Sequence, residues 1–457
     1  MKLLRLSAFC LLPVLVITIW ACTNKSSELT EEIITNETKT VITSIQGRVL
    51  NEQLQPLQGA AVASGGKTTT TDVNGQFMLE SISVNQDAAV VTVTRTDYFD
   101  GIRTLVVNEN SLHYVQITLQ PHAATATVNG ATGGTVIVPG GSITLPASAL
   151  LLSNNNLYSG IADVNFKYIS PERDNFSDVM PGDLRGVTKA KIQQGLQSFG
   201  MLGLEFTGQN GEKLHLDNTK ALTLLINIPG SLVSSAPAQI QLWFFDVTSG
   251  LWQEDSYASK QGNAYLATVS KTGLWHFAIP YPLVSLKANI LNQLHAPVPN
   301  TLVTIVKKLD FVPIYSYTDA AGHFTGKVAS NVQLIITVTD PCGNIMDQQE
   351  IGPFTGTSSI DALTFTLPED NTLVIDGTAK DCDDNIVASG AVNISVDGLH
   401  YATAIDQGHF KTTIIRCNSS ATNIELEAMD KATGIYSTTS VNANNGTITP
   451  ALVICNQ

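Results

Sequence analysis

The sequence predicts an all-β protein that is a string of β-sandwich domains. Short stretches that alternate between apolar and polar residues recur along the chain, and Gly, Pro, Asn and Asp separate them. One turn motif occurs three times. Charged residues make up only 14% of the chain and hydrophobic residues 43%, without the charge patterns of long helices. Together these observations favour consecutive sandwiches over a helical or mixed fold.

The repeated motif is an acidic turn followed by a phenylalanine. Its copies span residues 71–77, 318–324 and, one residue shorter, 406–410. In each copy an Asp carboxylate accepts hydrogen bonds from nearby backbone amides, and a Gly supplies the positive φ that closes the turn. We therefore predict three β-hairpin turns, each with its Phe as the first inward residue of the next strand. The predicted turn residues are Asp72, Gly75, Asp319, Gly322, Asp406 and Gly408.

The similarity between the copies extends beyond the turn. Each has apolar segments before the motif, then an alternating stretch that ends at Asp97, Asp340 or Asp430, and a last apolar segment. This spacing predicts about seven strands per copy. We call residues 44–121 repeat one, residues 283–369 repeat two and residues 370–457 repeat three.

Repeat one resembles the carboxypeptidase regulatory-like family, a transthyretin-like β-sandwich. The residues that carry the resemblance are Gly47, Pro56, Gly59, Ala60, Val62, Thr71, Asp72, Gly75 and Phe77. Repeats two and three are degenerate copies, because Ala288 replaces the first Gly and the third turn is shorter. The resemblance implies a non-catalytic module of the kind that accompanies enzymes, receptors and surface proteins.

Residues 122–282, the middle domain, are predicted to form a distinct β-sandwich. Their order of motifs resembles a module of extracellular proteins that often follows a regulatory-like repeat. The domain contains Trp243, Trp252 and Trp275. Core packing is favoured over an aromatic platform for sugars, and Trp243 and Trp252 are expected to be cross-strand neighbours.

The amino terminus is predicted to be a lipoprotein signal peptide at residues 1–21, with Cys22 as the lipidated residue. A short positive region precedes an apolar run that is shorter than the ~20 residues of a spanning helix. Residues 19–22 resemble a bacterial lipobox. The alternatives are a plain secretory signal or a short membrane anchor.

The anchor predicts the location of the protein. Thr23 stands where an Asp would favour inner-membrane retention, so by resemblance to Gram-negative sorting rules the outer membrane is expected. The orientation, towards the periplasm or the cell surface, stays open. Residues 22–43 are rich in Ser, Thr, Asn and Glu and are predicted to be a flexible tether.

Composition and motifs limit the function classes. The formal net charge is −14 and no basic patch occurs, so nucleic-acid binding is not expected. Motifs of zinc peptidases, serine hydrolases and phosphate-binding loops are absent, so neither an enzyme nor a cofactor is expected. The predicted function is a non-catalytic envelope lipoprotein that contacts envelope proteins or extracellular polysaccharide. A glycan-binding surface lipoprotein and an unrecognised hydrolase in the middle domain are the alternatives.

Two sets of polar residues are candidate metal ligands. His323 and His409 follow the repeat Gly where repeat one has Gln76, so all three are predicted to face solvent beside an inward Phe. A cluster of acidic residues at the end of a strand could bind Ca²⁺, although such residues are ordinary before a turn. The cluster consists of Asp381, Asp383 and Asp384.

The cysteines predict disulfide bonds. Cys10 leaves with the signal peptide, and four remain beyond Cys22: Cys342, Cys382, Cys417 and Cys455. An even number in an exported protein favours bridges. Only Cys342 lies in repeat two, so if all four pair, one bridge joins repeats two and three and the other closes within repeat three. The partner of Cys342 is left open, and buried free thiols are the alternative.

Overall fold

The structure is a computed structural model that describes residues 39–307, 314–417 and 419–455. These residues form strands joined by turns, with one α-helix, α1 (Phe176–Val179), and two 3₁₀ turns, Gly230–Leu232 and Glu369–Asn371. The all-β prediction is therefore confirmed. No helix in the described part of the chain is both long and apolar enough to span a membrane. Cys22 and the signal peptide lie outside the described residues.

Repeat one is a two-layer sandwich. Its strands are β1 (Thr40–Leu50), β2 (Ala61–Ser64), β3 (Lys67–Thr70), β4 (Gln76–Asn85), β5 (Ala89–Thr94), β6 (Gly101–Leu105) and β7 (Leu112–Thr118). One sheet has the order β4-β1-β7 and the other β3-β2-β5-β6. Strand β1 is antiparallel to β4 and parallel to β7. Alternating apolar residues of both sheets meet between the layers, where Ile45, Phe77 and Val91 are buried.

The first strand corrects one predicted boundary. The tether was predicted to end at residue 43, but β1 starts at Thr40, which pairs with Asn85 of β4. Val41 is buried in the core of repeat one. The two apolar residues Val41 and Ile42 within a polar stretch were too weak a signal for a strand. The tether residues before 39 lie outside the described residues.

The middle domain is built on one large sheet. Its strands are β8 (Ala124–Asn129), β9 (Gly134–Val138), β10 (Gly141–Leu145), β11 (Leu150–Leu151), β12 (Ile161–Ile169), β13 (Arg185–Val187), β14 (Gln193–Gly208), β15 (Lys213–Leu216), β16 (Leu222–Asn227), β17 (Gln239–Asp246), β18 (Leu251–Gln261), β19 (Ala264–Val269) and β20 (Gly273–Asn292). The central order is β15-β14-β20-β17-β18-β19-β16-β10. Phe206, Trp275 and Phe277 are buried in its main core.

Strand β20 connects the middle domain to repeat two without a break. Its first half pairs with β14 and β17, and its second half pairs with strands of repeat two. Buried residues continue along its whole length, from Trp275 to Ile290. The two domains are therefore joined by a continuous strand rather than by a flexible linker.

Repeats two and three reproduce the arrangement of repeat one. The strands of repeat two are the second half of β20, β21 (Leu302–Lys307), β22 (Ile314–Tyr317), β23 (His323–Ala329), β24 (Leu334–Thr339), β25 (Ile345–Ile351) and β26 (Ser358–Phe365). Its sheets are β23-β20-β26 and β22-β21-β24-β25, and β20 is parallel to β26. Each strand thus has a counterpart in repeat one.

In repeat three the strands are β27 (Thr372–Asp381), β28 (Ser389–Val396), β29 (Leu399–Asp406), β30 (His409–Ile415), β31 (Thr422–Asp430), β32 (Tyr436–Ala443), β33 (Gly446–Ile448) and β34 (Ala451–Ile454). Strand β27 is antiparallel to β30 and parallel to β33 and β34, which share the role of β7. Strands β32-β31-β28-β29 continue the same sheet, because β29 pairs with β30 at Asp406 and His409. Each repeat has its own hydrophobic cluster.

Candidate binding sites at the domain junctions

The two longer turns have the predicted local chemistry. Asp72 Oδ1 accepts the backbone N–H groups of Asn74 and Gln76, both at 2.8 Å. Asp319 Oδ1 makes the same two bonds in repeat two, at 3.0 and 2.9 Å. Gly75 and Gly322 have φ values of 72° and 77°. The third turn has two residues, and both Gln407 and Gly408 have positive φ.

The two longer turns are not hairpins, however, because the strands on either side belong to different layers: β3 pairs with β2, whereas β4 pairs with β1. The third turn is a hairpin turn as predicted, because Asp406 of β29 pairs with His409 of β30. The Gly75 carbonyl accepts the N–H of Val49 at 2.7 Å, which attaches the turn to β1. The other repeats have the same bond: the Gly322 carbonyl accepts the N–H of Ile290, and the Gly408 carbonyl accepts that of Ala379, each at 2.9 Å. The two longer turns are therefore corners that carry the chain from one layer to the other, and all three turns place their Phe in the core.

A threonine before the Asp completes the two longer corners. Thr71 Oγ1 donates to the Leu57 carbonyl at 2.5 Å and accepts the Ala60 N–H at 2.9 Å. Thr318 repeats both bonds in repeat two, with the Val298 carbonyl at 2.6 Å and the Thr301 N–H at 3.0 Å. Sequence reasoning did not assign this role, although Thr precedes Asp in both longer copies of the motif.

The acidic cluster considered for calcium is a second repeated turn. Asp381 Oδ1 accepts the N–H groups of Asp383 and Asn385, both at 2.9 Å. Asn51 and Asn292 make the equivalent pairs of bonds in the other repeats. An uncharged Asn makes the same hydrogen bonds in the other two repeats. The turn therefore explains the presence of Asp381 without a metal ion. In the described residues no three His, Cys, Asp or Glu side chains are grouped as metal ligands.

The four cysteines form two disulfide bonds. Cys342 is bonded to Cys417, which links repeat two to repeat three, and the Cα atoms are 5.5 Å apart. Cys382 is bonded to Cys455 within repeat three. The pairing of Asp381 with Ile454 between β27 and β34 places Cys382 beside Cys455. That register leaves Cys417 as the partner of Cys342.

The tryptophans are core residues. Trp243, Trp252 and Trp275 are fully buried, which excludes a surface platform built from them. Trp252 lies opposite Phe245 and Trp243 lies opposite Glu254, so the two tryptophans are diagonal rather than directly opposite neighbours on adjacent strands. A β-bulge between Leu242 and Trp243 precedes this stretch of the pair of strands.

A buried histidine packs against this aromatic cluster. The His276 ring lies 4.9 Å from that of Trp252, and the side chain is inaccessible to solvent. Neither ring nitrogen has a hydrogen-bond partner among the described residues. Burial disfavours the charged imidazolium and lowers the pKa of His276 to about 3. The residue is therefore neutral at physiological pH.

The largest cavity that we describe lies where the four domains meet. Its volume is about 580 Å³, within the range of about 300–1,000 Å³ of small-molecule sites. We call it the junction cavity. Each domain contributes two or more side chains, among them Arg48, Tyr114, Ser177, Asp178, Asn300, Tyr317, Leu399 and Tyr401. Cys342 lies in the same wall, so the bridge between repeats two and three borders the cavity.

The polar groups of the junction cavity are only partly satisfied. The Gln116 amide donates to Asp178 Oδ2 at 2.9 Å. Tyr114 Oη and Asn300 Oδ1 are buried and have no hydrogen-bond partner among the described residues. The Tyr114 ring lies 5.0 Å from that of Tyr317, edge to face. The cavity thus combines aromatic rings with free donors and acceptors.

Burial also changes the acidities in this cavity. It raises the pKa of the Asp178 carboxyl above its ordinary value, although the Gln116 amide and the Arg103 guanidinium oppose that shift. It likewise raises the pKa of Tyr114 and of Tyr401. The phenol groups are therefore neutral and able to donate hydrogen bonds.

A second concavity, the acidic groove, lies between repeats one and three. Its volume is about 350 Å³. Asp72, Gln76 and Glu80 lie in one wall, and Glu425 and Glu427 lie in the other. Both cavities lie at domain junctions rather than inside the middle domain, where the hydrolase alternative had placed an active site.

The tip of the β28–β29 hairpin separates the two sites. Gln46 and Asn300 each donate to the His400 carbonyl at 3.0 Å, and Gln76 donates to the Gly398 carbonyl. The tip of repeat three is thereby held between repeats one and two. These contacts correct the prediction that Gln76 faces solvent: it points away from its own core but is buried against repeat three. His323 and His409 are exposed.

Comparison with known proteins does not assign the chain to a family. No family model matches the chain, and no curated protein matches it. Similar solved structures include a streptococcal ancillary pilin (10% identity, 50% of this chain and 96% of that chain, TM-score 0.17). They also include the Bacillus anthracis TIE protein (11% identity, 93% of this chain and 69% of that chain, TM-score 0.18). A third is BcpA, the major pilin subunit of Bacillus cereus (9% identity, 92% of this chain and 100% of that chain, TM-score 0.14). Similarity at these TM-scores carries no conclusion about function.

Proposed function

We propose that the protein is a non-catalytic, lipid-anchored binding protein of the cell envelope and that its ligand occupies the junction cavity. The single observation that carries the proposal is that this cavity has walls from all four domains and contains buried polar atoms without partners. Unsatisfied buried groups are costly to stability, so they favour a site that a ligand completes.

The chemistry of the wall favours a saccharide, as in a segment of an extracellular polysaccharide. Tyr114, Tyr317 and Tyr401 offer ring surface to the apolar face of a sugar. The Tyr114 hydroxyl and the Asn300 carbonyl oxygen offer a donor and an acceptor to sugar hydroxyls. Arg48 and Asp178 add charges of both signs. This mixture suits a neutral polyhydroxyl ligand better than an apolar one.

Binding is tested with the mature full-length protein and a panel of defined oligosaccharides of increasing length. A ligand that binds only the folded state raises the melting temperature. We expect one saccharide class to do so, and Tyr114→Phe to weaken its binding about fivefold, because one hydrogen bond is lost. Tyr257→Phe, on an exposed residue of β18, is the matched control. If no saccharide raises the melting temperature, or if both variants bind like the wild type, the proposal fails.

Anchoring is tested separately. Cys22→Ala removes the residue that would carry the lipid, so the variant should move from the membrane fraction to the soluble fraction of exported protein. Replacement of Cys10, which leaves with the signal peptide, is the control and should leave anchoring unchanged. Full membrane retention of Cys22→Ala would contradict the lipoprotein interpretation.

A further inference from the structure

The acidic groove concentrates negative charge on both of its walls. The Lys67 ammonium donates to the Glu80 backbone carbonyl at 2.8 Å but is not part of the wall. Asp72 and Glu80 of repeat one face Glu425 and Glu427 of repeat three across it, and no Lys or Arg side chain lies in its wall. None of these four carboxylates forms an ion pair with a residue in the part of the chain that the structure describes. Like charges held together on two domains repel one another, so the groove favours a cationic occupant.

A buried amide at the base of the groove is the second, independent observation. Gln76 is only 6% exposed, and its Nε2 donates to the Gly398 carbonyl of repeat three. That bond fixes the side chain, and its Oε1 is left as a buried acceptor without a partner among the described residues. The acceptor requires a donor, and an ammonium or guanidinium group provides several.

The strands around the groove favour a polypeptide over a small cation. Thr69 and Thr70 in its wall belong to β3, which is an edge strand of its sheet, so one side of its backbone has no partner strand there. Exposed edges accept extended peptides through main-chain hydrogen bonds. The opposite wall is a polar sheet face, on which Glu425 pairs with Ser395 and Glu427 with Asn393.

A metal ion fits the groove less well. A divalent cation needs several oxygen ligands at about 2–2.6 Å around one point. The four carboxylates do not form such a group within the described residues. They are instead spread along both walls of the groove. This spacing suits a peptide whose basic side chains are separated along its backbone.

We propose that the acidic groove binds an extended polypeptide segment that carries lysine or arginine side chains, with the carboxylates as counter-charges and Gln76 Oε1 as a hydrogen-bond acceptor. The β28–β29 tip lies between this groove and the junction cavity, and Tyr401 of β29 lines both. The peptide site goes beyond the proposed function and does not depend on it.

The test uses the mature full-length protein and a fluorescein-labelled peptide of alternating glycine and lysine. A peptide of alternating glycine and glutamine is the neutral control. Fluorescence anisotropy should show saturable binding of the lysine peptide, weaker at higher salt, and no binding of the glutamine peptide. Equal binding of the two peptides, or none of either, would overturn the proposal.

Variants separate a built site from general attraction to an acidic protein. Glu425→Gln with Glu427→Gln should weaken binding about tenfold or more. Asp87→Asn with Asp361→Asn removes the same charge from exposed positions outside the groove and should change binding less than about twofold. Equal losses of peptide affinity in the two double variants would show that only the net charge of the protein matters, and would overturn the assigned site.

Two further variants complete the test. Gln76→Met keeps the charge and approximate volume but removes the acceptor, and should weaken binding about threefold or more. Tyr114→Phe changes the junction cavity and should leave peptide binding unchanged. If Gln76→Met binds the peptide with wild-type affinity, Gln76 Oε1 is not a ligand contact and the proposal is overturned. Loss of peptide binding in Tyr114→Phe would show that the two sites are not separate.

Discussion

Repeat three is held against its two neighbouring repeats by different forces. Its junction with repeat two contains a covalent bond, Cys342–Cys417. Its junction with repeat one depends on side-chain hydrogen bonds, chiefly those of Gln46 and Gln76 to the β28–β29 tip. Such bonds are each worth only about 1 kcal/mol. The comparison indicates a permanent pair of C-terminal sandwiches and a weaker seam to repeat one, and the acidic groove lies along the weaker seam.

The largest expected effect comes from breaking the covalent junction. The Cys342–Cys417 bridge spans 75 residues, and loss of a bridge that closes such a loop costs about 4 kcal/mol. We expect Cys342→Ser with Cys417→Ser to lower the free energy of unfolding by about that amount. Hydrogen exchange should also rise on both sides of the junction, near residues 340 and 400.

The second bridge provides the matched control. Cys382–Cys455 spans 73 residues, so its removal should have a similar energetic cost. The faster exchange should then be confined to repeat three, around β27 and β34. Identical exchange patterns in the two double variants would contradict the assignment of one bridge between repeats two and three and the other within repeat three.

Acid should destabilise the middle domain. The folded state holds His276 neutral, with a pKa of about 3, while the unfolded chain binds a proton near pH 6.5. Because the unfolded state binds more protons below pH 6.5, stability falls as the pH decreases from 6.5 towards 3. The loss from this group is about 3 kcal/mol by pH 4.5.

His276→Phe removes this contribution and provides the measurement. Chemical denaturation at pH 7 and pH 4.5 should show a smaller loss of stability in the variant than in the wild type. The difference between the two proteins isolates His276 from the carboxylates that also titrate in this range. Equal losses would show that the ring is not buried in its neutral form.

A smaller effect is expected at the corner beside the weaker seam. A Cβ on Gly75 would lie 2.3 Å from the Val49 carbonyl oxygen, and its φ is 72°. Gly75→Val should therefore cost about 2 kcal/mol or more and displace the adjacent Gln76 from repeat three. Gly66→Val is the control, because Gly66 has a φ of 77° but open space around its Cβ. Equal costs in the two variants would contradict the close approach of the corner to β1.

Local chemistry was predictable from the sequence, whereas contacts between domains were not. Asp72 and Gly75 indicated a turn correctly, because their bonds lie within a few residues of one another. The same pattern does not reveal whether the flanking strands pair, which is why the corners were predicted as hairpins. The strand order of repeat one, which decides this, depends on pairing between distant residues.

The candidate sites show the same limit. Tyr114, Asp178, Asn300 and Tyr401 are ordinary residues in their own segments, and only the packing of four domains brings them together. Gln76 was predicted to face solvent from strand alternation alone, which places it away from its own core but does not reveal its contact with repeat three. The cysteines were more informative, since their distribution between repeats required a bridge between domains if all of them pair.

A non-reducing tryptic map of the mature protein tests the covalent junction most directly. Cleavage after Lys327, Lys380, Lys411, Arg416 and Lys431 places the four cysteines in four different peptides. The structure predicts that peptide 328–380 is linked to peptide 417–431, and peptide 381–411 to peptide 432–457. Four unlinked peptides, or a map in which peptide 328–380 carries no partner or a different one, would contradict the account.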